Sequence, residues 1–389
     1  MIKKIHARNF LSLKEVDLEL GLRNVLVGPN MSGKSNLIEL LKFLATIATA
    51  RPGLHTAILQ RGGFGELCWK GGEENLVDLT VTVELPSKEV DAKPTVYEYS
   101  LSLLGAGGMG FAVNREKLVI LVRNKEPRVV YEIQAGSSGL IEEDGKLRKI
   151  DLGTWTTALE AVGLPNTEAD RFRNFLAGWR FFQLIPLLMR KDNPPNPQPF
   201  LMEHGENLSS WITTLQTSPD AFLQIRQAVR DALPELADIF IQPTQAATIV
   251  LGTLEKNLKR PTSISRMSDG ELAFLALVSL ILAPPQFSAP VFCVEEPENY
   301  LHPYLLEALV ELLTQRQDDL GEHAAQILAT THSPQLVDKM SIDDLIVVEK
   351  SKGQTKFRRP SSDDQLRELV ARKELGLGDL WFTGALRGA

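Results

Sequence analysis

The segment that decides the fold is Gly28-Pro29-Asn30-Met31-Ser32-Gly33-Lys34-Ser35. It matches the pattern G-x-x-x-x-G-K-[ST] of a phosphate-binding loop (P-loop), in which glycines let backbone N–H groups turn toward an anion. A short apolar run rich in valine, residues 24–27, precedes the loop, and apolar residues recur at helical spacing from Asn36 onward. This order of strand, loop and helix is the context that the motif requires, so the sequence predicts a nucleotide site in an α/β fold.

The residue types in the loop fit phosphate chemistry. The start of a helix carries about half a positive charge, so residues 28–36 are the expected cradle for a phosphate group. Lys34 is expected to reach the β- and γ-phosphates, and the hydroxyl of Ser35 to bind Mg²⁺. The alternative is a glycine loop that only turns the chain, which the strand and helix on either side disfavour.

The composition limits the classes of protein to which the chain can belong. Among 389 residues, 42 are Lys or Arg and 49 are Asp or Glu, and the formal net charge of -7 excludes a histone-like polycation. The hydrophobic fraction of 43% and the charged fraction of 23% are ordinary for a soluble globular protein. Two cysteines do not support a disulfide framework, and the longest apolar stretch, residues 272–283, is shorter than the roughly 20 residues of a membrane span. We therefore expect a cytoplasmic protein without a membrane partner.

The sequence pattern divides the chain into three parts. Residues 1–190 hold the P-loop and, over residues 76–150, alternating segments that predict an antiparallel β lobe. Residues 191–260 begin with a proline cluster, which predicts an extended linker or lever, and continue with the helical spacing of an inserted lobe. Residues 261–389 complete the core. Together these parts predict a P-loop protein with a mixed sheet, an antiparallel β lobe and an inserted helical lobe.

The last part carries the pattern of a buried parallel sheet. Apolar runs at residues 291–294 and 326–329 are typical of strands that are buried on both faces. Helical spacing over residues 304–320 lies between them, which completes a strand-helix-strand unit. A nearly all-apolar stretch at residues 269–282 predicts a buried helix.

Two adjacent carboxylates, Glu295 and Glu296, follow the first of these runs. Ligands bind at the carboxyl ends of strands in open α/β sheets, and ATP hydrolysis needs one acid for the Mg²⁺ shell and one as general base. Neighbouring side chains of a strand point to opposite sides, so the second acid has to act where the backbone turns, as Pro297 favours. The alternative is an acidic strand cap without a catalytic role.

A histidine, His332, follows the second run through two threonines. It is expected at a carboxyl end of the same sheet, one strand-helix-strand unit beyond Glu296. There it can contact the γ-phosphate and respond when that phosphate is hydrolysed. The alternative is a surface histidine, or one whose ring is satisfied by local hydrogen bonds.

Four segments resemble, in sequence and in order, the ABC-type ATPases of the SMC, RecF and OLD (overcoming lysogenisation defect) group. These segments are residues 28–35, 268–271, 294–303 and 329–334. The chain looks most like the RecF-like ATPases of bacteria, which often end in a Gly-Asp-Leu-Trp segment such as residues 378–381 here. The resemblance covers residues 1–50 and 260–350 well, and it implies a P-loop NTPase fold of ABC type.

The resemblance also implies that ATP binds between two heads of a homodimer, where the P-loop of one chain meets the signature loop of the other. Here the signature loop is Ser268-Asp269-Gly270-Glu271. Independently of the family, a Ser hydroxyl and a Gly N–H at the start of a helix form a second anion site. An alternative that can coexist with this role is Ser268 as a plain N-cap, with Glu271 completing a capping box.

By the same resemblance, Glu296 is the catalytic glutamate and His332 the switch histidine. Glu295 stands where the family has the Walker B aspartate, and its extra methylene implies that it reaches Mg²⁺ through water. The segment 299–302 corresponds to the D-loop along the dimer interface. His302 is as well explained as a helix-entry residue as by a functional role.

The Q-loop residue, a second Mg²⁺ contact of the head, has two candidates. Gln183 ends a predicted strand at residues 179–183, after the β lobe and before the proline cluster, and is favoured because the chain leaves the head there. Gln60 is the competitor, and a surface amide without function is a third possibility.

Two functions remain open for this chain. The first is an ATP-driven dimerising head in DNA repair or anti-phage defence, with a separate nuclease or toxin as effector. The second is a nucleotide-gated scaffold or sensor that regulates such a partner. A transporter ATP-binding subunit is disfavoured by the β-rich insertion. Basic residues could touch DNA phosphates, although such runs are more often solvated faces: Lys256, Lys259, Arg260 and Arg266, or Lys356, Arg358 and Arg359.

Overall fold

The computed structural model describes residues 1–87, 93–106, 110–122, 125–134, 138–143, 146–161, 167–371 and 376–387. Its strands are β1 (Ile2–Phe10), β2 (Leu13–Glu19), β3 (Arg23–Val27), β4 (Leu76–Leu85), β5 (Thr95–Gly105), β6 (Phe111–Leu121), β7 (Arg128–Gln134), β8 (Ser138–Glu143), β9 (Lys146–Asp151), β10 (Arg180–Phe182), β11 (Leu236–Pro243), β12 (Ile249–Glu255), β13 (Thr262–Ser263), β14 (Val291–Glu295), β15 (Gln326–Thr331), β16 (Leu345–Ser351) and β17 (Gln354–Arg358). Its helices are α1 (Lys34–Thr49), α2 (Gly53–Leu59), α3 (Phe64–Leu67), α4 (Ala158–Ala161), α5 (Glu168–Ala177), α6 (Pro186–Met189), α7 (Leu208–Leu215), α8 (Pro219–Ala232), α9 (Asp269–Ile281), α10 (Pro303–Leu320), α11 (Pro334–Asp338), α12 (Asp364–Ala371) and α13 (Leu377–Phe382).

These elements form two compact units. Unit 1 comprises Met1–Asn24, Gly28–Trp179 and Ile346–Arg359, and unit 2 comprises Val25–Val27, Arg180–Leu345 and Pro360–Ala389. The middle part expected from the sequence, residues 191–260, lies within unit 2. In the part of the chain that the structure describes, no helix is both long and apolar enough to cross a bilayer.

Unit 1 is built on one antiparallel sheet with the strand order β2-β1-β4-β5-β6-β7-β8-β9. Side chains alternate between buried and partly exposed along β4, as expected for a strand with one face on the core. The predicted antiparallel β lobe is therefore confirmed, and the sheet extends beyond it to the two N-terminal strands. A hairpin of β16 and β17 also belongs to this unit.

A buried carboxylate, Glu116 on β6, joins the sheet of unit 1 to α4. It accepts hydrogen bonds from the hydroxyls of Tyr99 (3.1 Å) and Tyr131 (3.2 Å) and from the backbone N–H groups of Ala158 (2.5 Å) and Leu159 (3.0 Å). Burial raises the pKa of Glu116 to about 7, because the loss of water outweighs these donors. We call this arrangement the Glu116 node.

The core of unit 2 is a sheet in the order β10-β14-β15-β3, in which β10, β14 and β15 run parallel. The strands and the helix that the sequence predicts between residues 291 and 329 are thus confirmed. Helix α9 is buried along residues 272–280, as its all-apolar pattern predicts. The indole of Trp211 on α7 donates to the hydroxyl of Ser279 on α9 (2.9 Å), so the one polar group inside this helix is satisfied.

The helical spacing predicted for the inserted lobe of unit 2 is confirmed by α7 and α8. The lobe also contains a three-stranded sheet in the order β11-β12-β13, which the sequence analysis did not predict. The proline cluster is held at its first residues by Asn193, which is 5% exposed and exchanges backbone hydrogen bonds with Ile249 (2.9 and 2.8 Å). The carbonyl group of the Asn193 side chain also accepts from the backbone N–H of Ser209 (2.9 Å). This end of the expected linker is therefore anchored to the lobe.

Candidate nucleotide site

Unit 1 carries the P-loop between the end of β3 at Val27 and the start of α1 at Lys34. Gly33 is the N-cap of α1 with a φ of 100°, a backbone conformation that favours glycine. A Cβ atom on Gly33 would lie 1.9 Å from Oγ1 of Thr355, and one on Gly28 would lie 2.4 Å from the carbonyl oxygen of Val348. Both glycines of the motif are therefore required by close contacts within unit 1.

Two hydroxyl groups that the sequence pattern did not predict, those of Ser12 and Thr355, hold this loop through hydrogen bonds. Oγ1 of Thr355 donates to the carbonyl oxygen of Ser32 (3.0 Å) and lies 2.6 Å from Oγ of Ser12. The side-chain amide of Asn36 donates to the same Ser12 oxygen (2.5 Å). Ser12 and Thr355 are separated by 343 residues, so no local pattern could pair them. Together these contacts fix the peptide of Ser32 from the side of the β16–β17 hairpin.

The cationic group of the loop is the ammonium of Lys34, whose residue is only 5% exposed. Its Nζ donates to the carbonyl oxygens of Gly28 (2.7 Å) and Pro29 (3.1 Å), so the positive charge lies inside the loop. The Ser32 hydroxyl is buried and has no hydrogen-bond partner among the described residues. A buried hydroxyl and a buried ammonium in the same loop suit the binding of a phosphate oxygen.

Unit 2 carries the two predicted acids at the end of β14. Glu295 is the last residue of that strand and pairs with Thr330 of β15. Glu296 has left-handed backbone angles (φ 46°, ψ 58°), and its N–H donates to the carbonyl oxygen of Thr330 (3.0 Å). The expectation that the backbone turns at the second acid is confirmed, and Glu296 leaves the alternation of the strand there.

The Glu296 carboxylate lies beside the predicted switch histidine. Nδ1 of His332 is 3.3 Å from Oε1 of Glu296 and 3.9 Å from Oε1 of Glu298. The other oxygen of Glu296 accepts from the side-chain amide of Asn299 (2.9 Å). Unit 2 thus brings Glu296 and His332 together, and we call these two residues with Glu298 the acid–histidine cluster.

Glu298 is a member of this cluster that the sequence analysis did not single out. Its side chain is 7% exposed, and its Oε1 accepts from the hydroxyl of Thr331 (2.5 Å) and from the backbone N–H of His332 (3.3 Å). Its second oxygen is buried without a partner among the described residues. The signal in the sequence was a third carboxylate two residues after Glu296.

The structure separates the two candidates for the Q-loop residue. Gln183 directly follows β10, where Phe182 pairs with Val294 of β14, so Gln183 and Glu295 are the next residues after this pair on neighbouring parallel strands. The backbone carbonyl oxygen of Gln183 accepts from Nδ1 of His204 (2.9 Å), and Gln183 itself is exposed. Gln60 ends the short helix α2 of unit 1.

The signature loop lies at the start of α9 in unit 2. The hydroxyl of Ser268 accepts from the N–H of Glu271 (3.2 Å), and the Glu271 carboxylate accepts from the N–H of Ser268 (2.6 Å). The capping box proposed as an alternative is therefore present. Asp269 pairs with Arg190 (2.7 Å), and a Cβ on Gly270 would lie 2.8 Å from the carbonyl oxygen of Tyr300.

Other predicted residues have structural partners. Nδ1 of His302 accepts from the N–H of Tyr304 (3.3 Å) and caps α10, which confirms the helix-entry interpretation. The guanidinium of Arg359 donates to the carbonyl of Glu19 (2.8 Å) and to Oδ1 of Asn24 (3.0 Å) within unit 1. Lys259 and Arg260 are exposed between β12 and β13.

Comparisons with solved structures identify the fold. The chain is similar to an SmcHead bound to the C-winged helix domain of ScpA, with a TM-score of 0.55 and 14% identity over 92% of this chain and 97% of that chain. It is also similar to an Smc head domain with an extended coiled coil bound to the C-terminal domain of ScpA derived from Pyrococcus furiosus, with a TM-score of 0.54 and 12% identity over 95% of this chain and 99% of that chain.

At these identities the likeness concerns the fold alone, and it confirms the expected α/β P-loop fold of ABC type. A family model with the description "AAA domain, putative AbiEii toxin, Type IV TA system" matches residues 23–106 and 117–338. The match covers well over half of the chain, including the P-loop, Glu295, Glu296 and His332. The chain therefore belongs to this family of AAA domains.

Proposed function

We propose that this protein is a Mg²⁺-dependent ATPase whose P-loop binds the triphosphate of ATP. The observation that carries the proposal is the loop itself, in which a buried ammonium lies inside a turn whose glycines admit no side chain. A compact charge held at this position attracts the β- and γ-phosphates, and the amides at the start of α1 add to the attraction. Membership of an AAA domain family supports the same activity.

The acid–histidine cluster supplies the groups for hydrolysis. Glu296 acts as general base for the attacking water, because one of its oxygens is held by Asn299 and the other faces the ring of His332. His332 contacts the γ-phosphate and responds to its loss. The cluster is partly exposed at a strand end, which gives water and substrate access to both side chains.

From the resemblance of the sequence to ABC-type ATPases, Ser35, Glu295 and Gln183 would hold Mg²⁺ through oxygen atoms. Hydroxyl, carboxylate and amide oxygens are hard donors of the kind that Mg²⁺ prefers, and the pairing of Phe182 with Val294, one residue before Gln183 and Glu295, supports a shared role for these two. The ion would neutralise charge on the transferred phosphoryl group. Glu295 would reach the ion through water, since its side chain is one methylene longer than that of an aspartate. Gln60, at the end of α2, is the alternative candidate for this contact.

We further propose that two copies of the chain clasp ATP as a homodimer. The start of α9 supports this, because Ser268 and Gly270 present a helix N-terminus at the surface, where a second chain can bring a phosphate. The solved Smc heads are bound to ScpA, and the family description names a toxin, so a separate toxin or nuclease is the expected effector in DNA repair or anti-phage defence. The exposed Lys259 and Arg260 are candidates for contact with DNA. The alternative function is a nucleotide-gated scaffold or sensor that regulates such a partner.

The P-loop assignment is tested with Lys34→Ala. Loss of the buried charge should weaken ATP binding at least about 100-fold in calorimetry, because several charge-assisted contacts are lost together. Lys42→Ala on the same helix is the matched control and should bind normally. Unchanged ATP affinity in Lys34→Ala would overturn the assignment.

The shared-site hypothesis is tested with Glu296→Gln. This variant should still bind ATP but not hydrolyse it, so a dimer should accumulate on size exclusion at millimolar ATP and disappear without nucleotide. Combining it with Lys34→Ala should abolish the dimer. A persistent monomer of Glu296→Gln at saturating ATP counts against the homodimer and leaves the P-loop assignment intact.

A further inference from the structure

The C-terminal residues 376–382, which include α13, have no role in the function proposed above. We call them the C-terminal clasp. Leu377, Leu380 and Trp381 are buried, with Trp381 only 6% exposed, whereas Phe382 at the end of α13 is 83% exposed. The clasp is therefore packed on unit 2 along one side.

The surface that receives the clasp is α11, the short helix that follows the switch histidine. Oδ1 of Asp338 accepts from the N–H of Gly378 (2.5 Å). A Cβ on Gly378 would lie 2.5 Å from the carbonyl oxygen of Pro334, and one on Gly376 would lie 2.7 Å from Oδ1 of Asp338. Gly378 thus permits a close approach to the backbone of α11 that a larger residue would prevent, and Gly376 leaves room for the Asp338 side chain.

The clasp also reaches the main chain of His332. The indole N–H of Trp381 donates to the carbonyl oxygen of His332 (3.4 Å), while the N–H of His332 donates to Glu298 (3.3 Å). The two peptide groups that flank the histidine are therefore held from different parts of unit 2. One contact comes from the acid–histidine cluster and the other from the clasp.

We propose that the C-terminal clasp is a positioning element for the switch histidine, with Trp381 as its positioning residue. Two fixed peptide groups define where the Cβ of His332 lies, and hence how its Nδ1 approaches Glu296. A misplacement of about 1 Å in a catalytic group can lower a rate about 100-fold, so even a long hydrogen bond at this place affects turnover. The inference rests on the proposed role of His332 in hydrolysis.

The test is Trp381→Phe, which keeps an aromatic ring in the buried position and removes the N–H. We expect kcat for ATP to fall about three- to tenfold with KM unchanged, because the P-loop is untouched. Trp155→Phe, at an indole that is 65% exposed, is the matched control and should behave as the unmodified protein. In a His332→Ala background, Trp381→Phe should have no further effect. An equal additional loss in that background would show that Trp381 acts independently of His332 and would overturn the proposal.

Hydrogen exchange provides a readout that does not depend on activity. Amides of residues 331–338 should exchange several times faster in Trp381→Phe than in the unmodified protein, and Trp155→Phe should leave them unchanged. Unchanged exchange in Trp381→Phe would overturn the proposal that the C-terminal clasp holds the segment after His332. If the unmodified protein hydrolyses no ATP, the proposed function fails, and the exchange rates still decide whether Trp381 holds this segment.

Discussion

Two carboxylates with opposite surroundings, Glu116 in unit 1 and Glu296 in unit 2, show how this molecule uses acidic residues. Glu116 is fully buried and accepts hydrogen bonds from two tyrosine hydroxyls and two backbone amides. Glu296 is 31% exposed on its side chain, sits on a left-handed backbone, and is held by one amide and a histidine. Both carboxylate oxygens of Glu116 accept hydrogen bonds, whereas one oxygen of Glu296 faces the imidazole ring of His332.

The difference separates an acid that holds the fold from one that is available for chemistry. A buried carboxylate surrounded by donors stabilises a fixed arrangement, and its loss leaves those donors without partners. An accessible carboxylate in a strained turn contributes little packing, and its oxygen can take a proton from water. Substitutions at the two sites should therefore change different measured quantities.

The largest effect is expected for Glu296→Gln. The amide has the shape of the carboxylate but cannot act as a base, so kcat for ATP should fall about 1000-fold. The free energy of unfolding should stay within about 0.5 kcal/mol of the unmodified value, because no buried group is lost. Steady-state phosphate release and urea unfolding measure the two quantities. Turnover above a tenth of normal would contradict the base role.

Glu116→Ala should lower the stability of the fold and leave turnover unchanged. Two hydroxyls and two backbone N–H groups would lose a buried acceptor, so the free energy of unfolding should fall by about 4 kcal/mol. The kcat of the folded fraction should not change. Glu132→Ala on the neighbouring β7, which breaks a surface ion pair with Arg115, is the control and should cost less than about 1 kcal/mol. Equal losses at Glu116 and Glu132 would show that the buried carboxylate stabilises the fold no more than a surface ion pair does.

The pH dependence of stability sharpens the same comparison. The pKa of Glu116 is about 7 in the folded chain against an ordinary 4.5, so the folded state binds the proton more tightly than the unfolded state. Stability from this group is greatest below pH 4.5, falls as the pH rises to about 7, and is then constant. The unmodified protein should lose about 3 kcal/mol over this window relative to Glu116→Gln. Parallel pH profiles of the two proteins would show that Glu116 titrates normally.

A smaller effect than at Glu296 or Glu116 is expected for Glu298→Ala. Loss of the acceptor for Thr331 and His332 should loosen the histidine segment and lower kcat about tenfold, equivalent to about 1.4 kcal/mol, with ATP affinity unchanged. Glu298→Gln keeps a carbonyl oxygen for both donors and should retain more activity. Glu311→Ala, at an exposed position of α10, is the control. Normal turnover in Glu298→Ala would show that the hydrogen bonds of Glu298 to Thr331 and His332 are not needed for hydrolysis.

The parts of the fold and site that were predictable share a local signal. The P-loop, the buried helix α9 and the parallel strands each depend on a pattern within about 20 residues, and the capping box at Ser268 depends on a spacing of three. The turn at Glu296 followed from two adjacent acids that had to serve different roles. For these features, sequence and structure agree.

The parts that were missed depend on long-range pairing. Ser12 and Thr355 meet beneath the loop across 343 residues, and the three-stranded sheet of unit 2 is built from short strands beside two clear helices. Glu298 was visible as a carboxylate, but its burial against His332 depends on β14 and β15 lying side by side. The contact of Trp381 with His332 likewise needs the folded chain.

The left-handed backbone at Glu296 has a consequence for how such a protein can change over generations. A glycine would adopt these angles without strain, so Glu296→Gly should raise the free energy of unfolding by about 1 kcal/mol while ending hydrolysis. Selection for heat resistance alone would therefore discard the residue on which catalysis depends. Stability and catalysis therefore favour different residues at this position, and a glutamate is kept there only while hydrolysis is under selection.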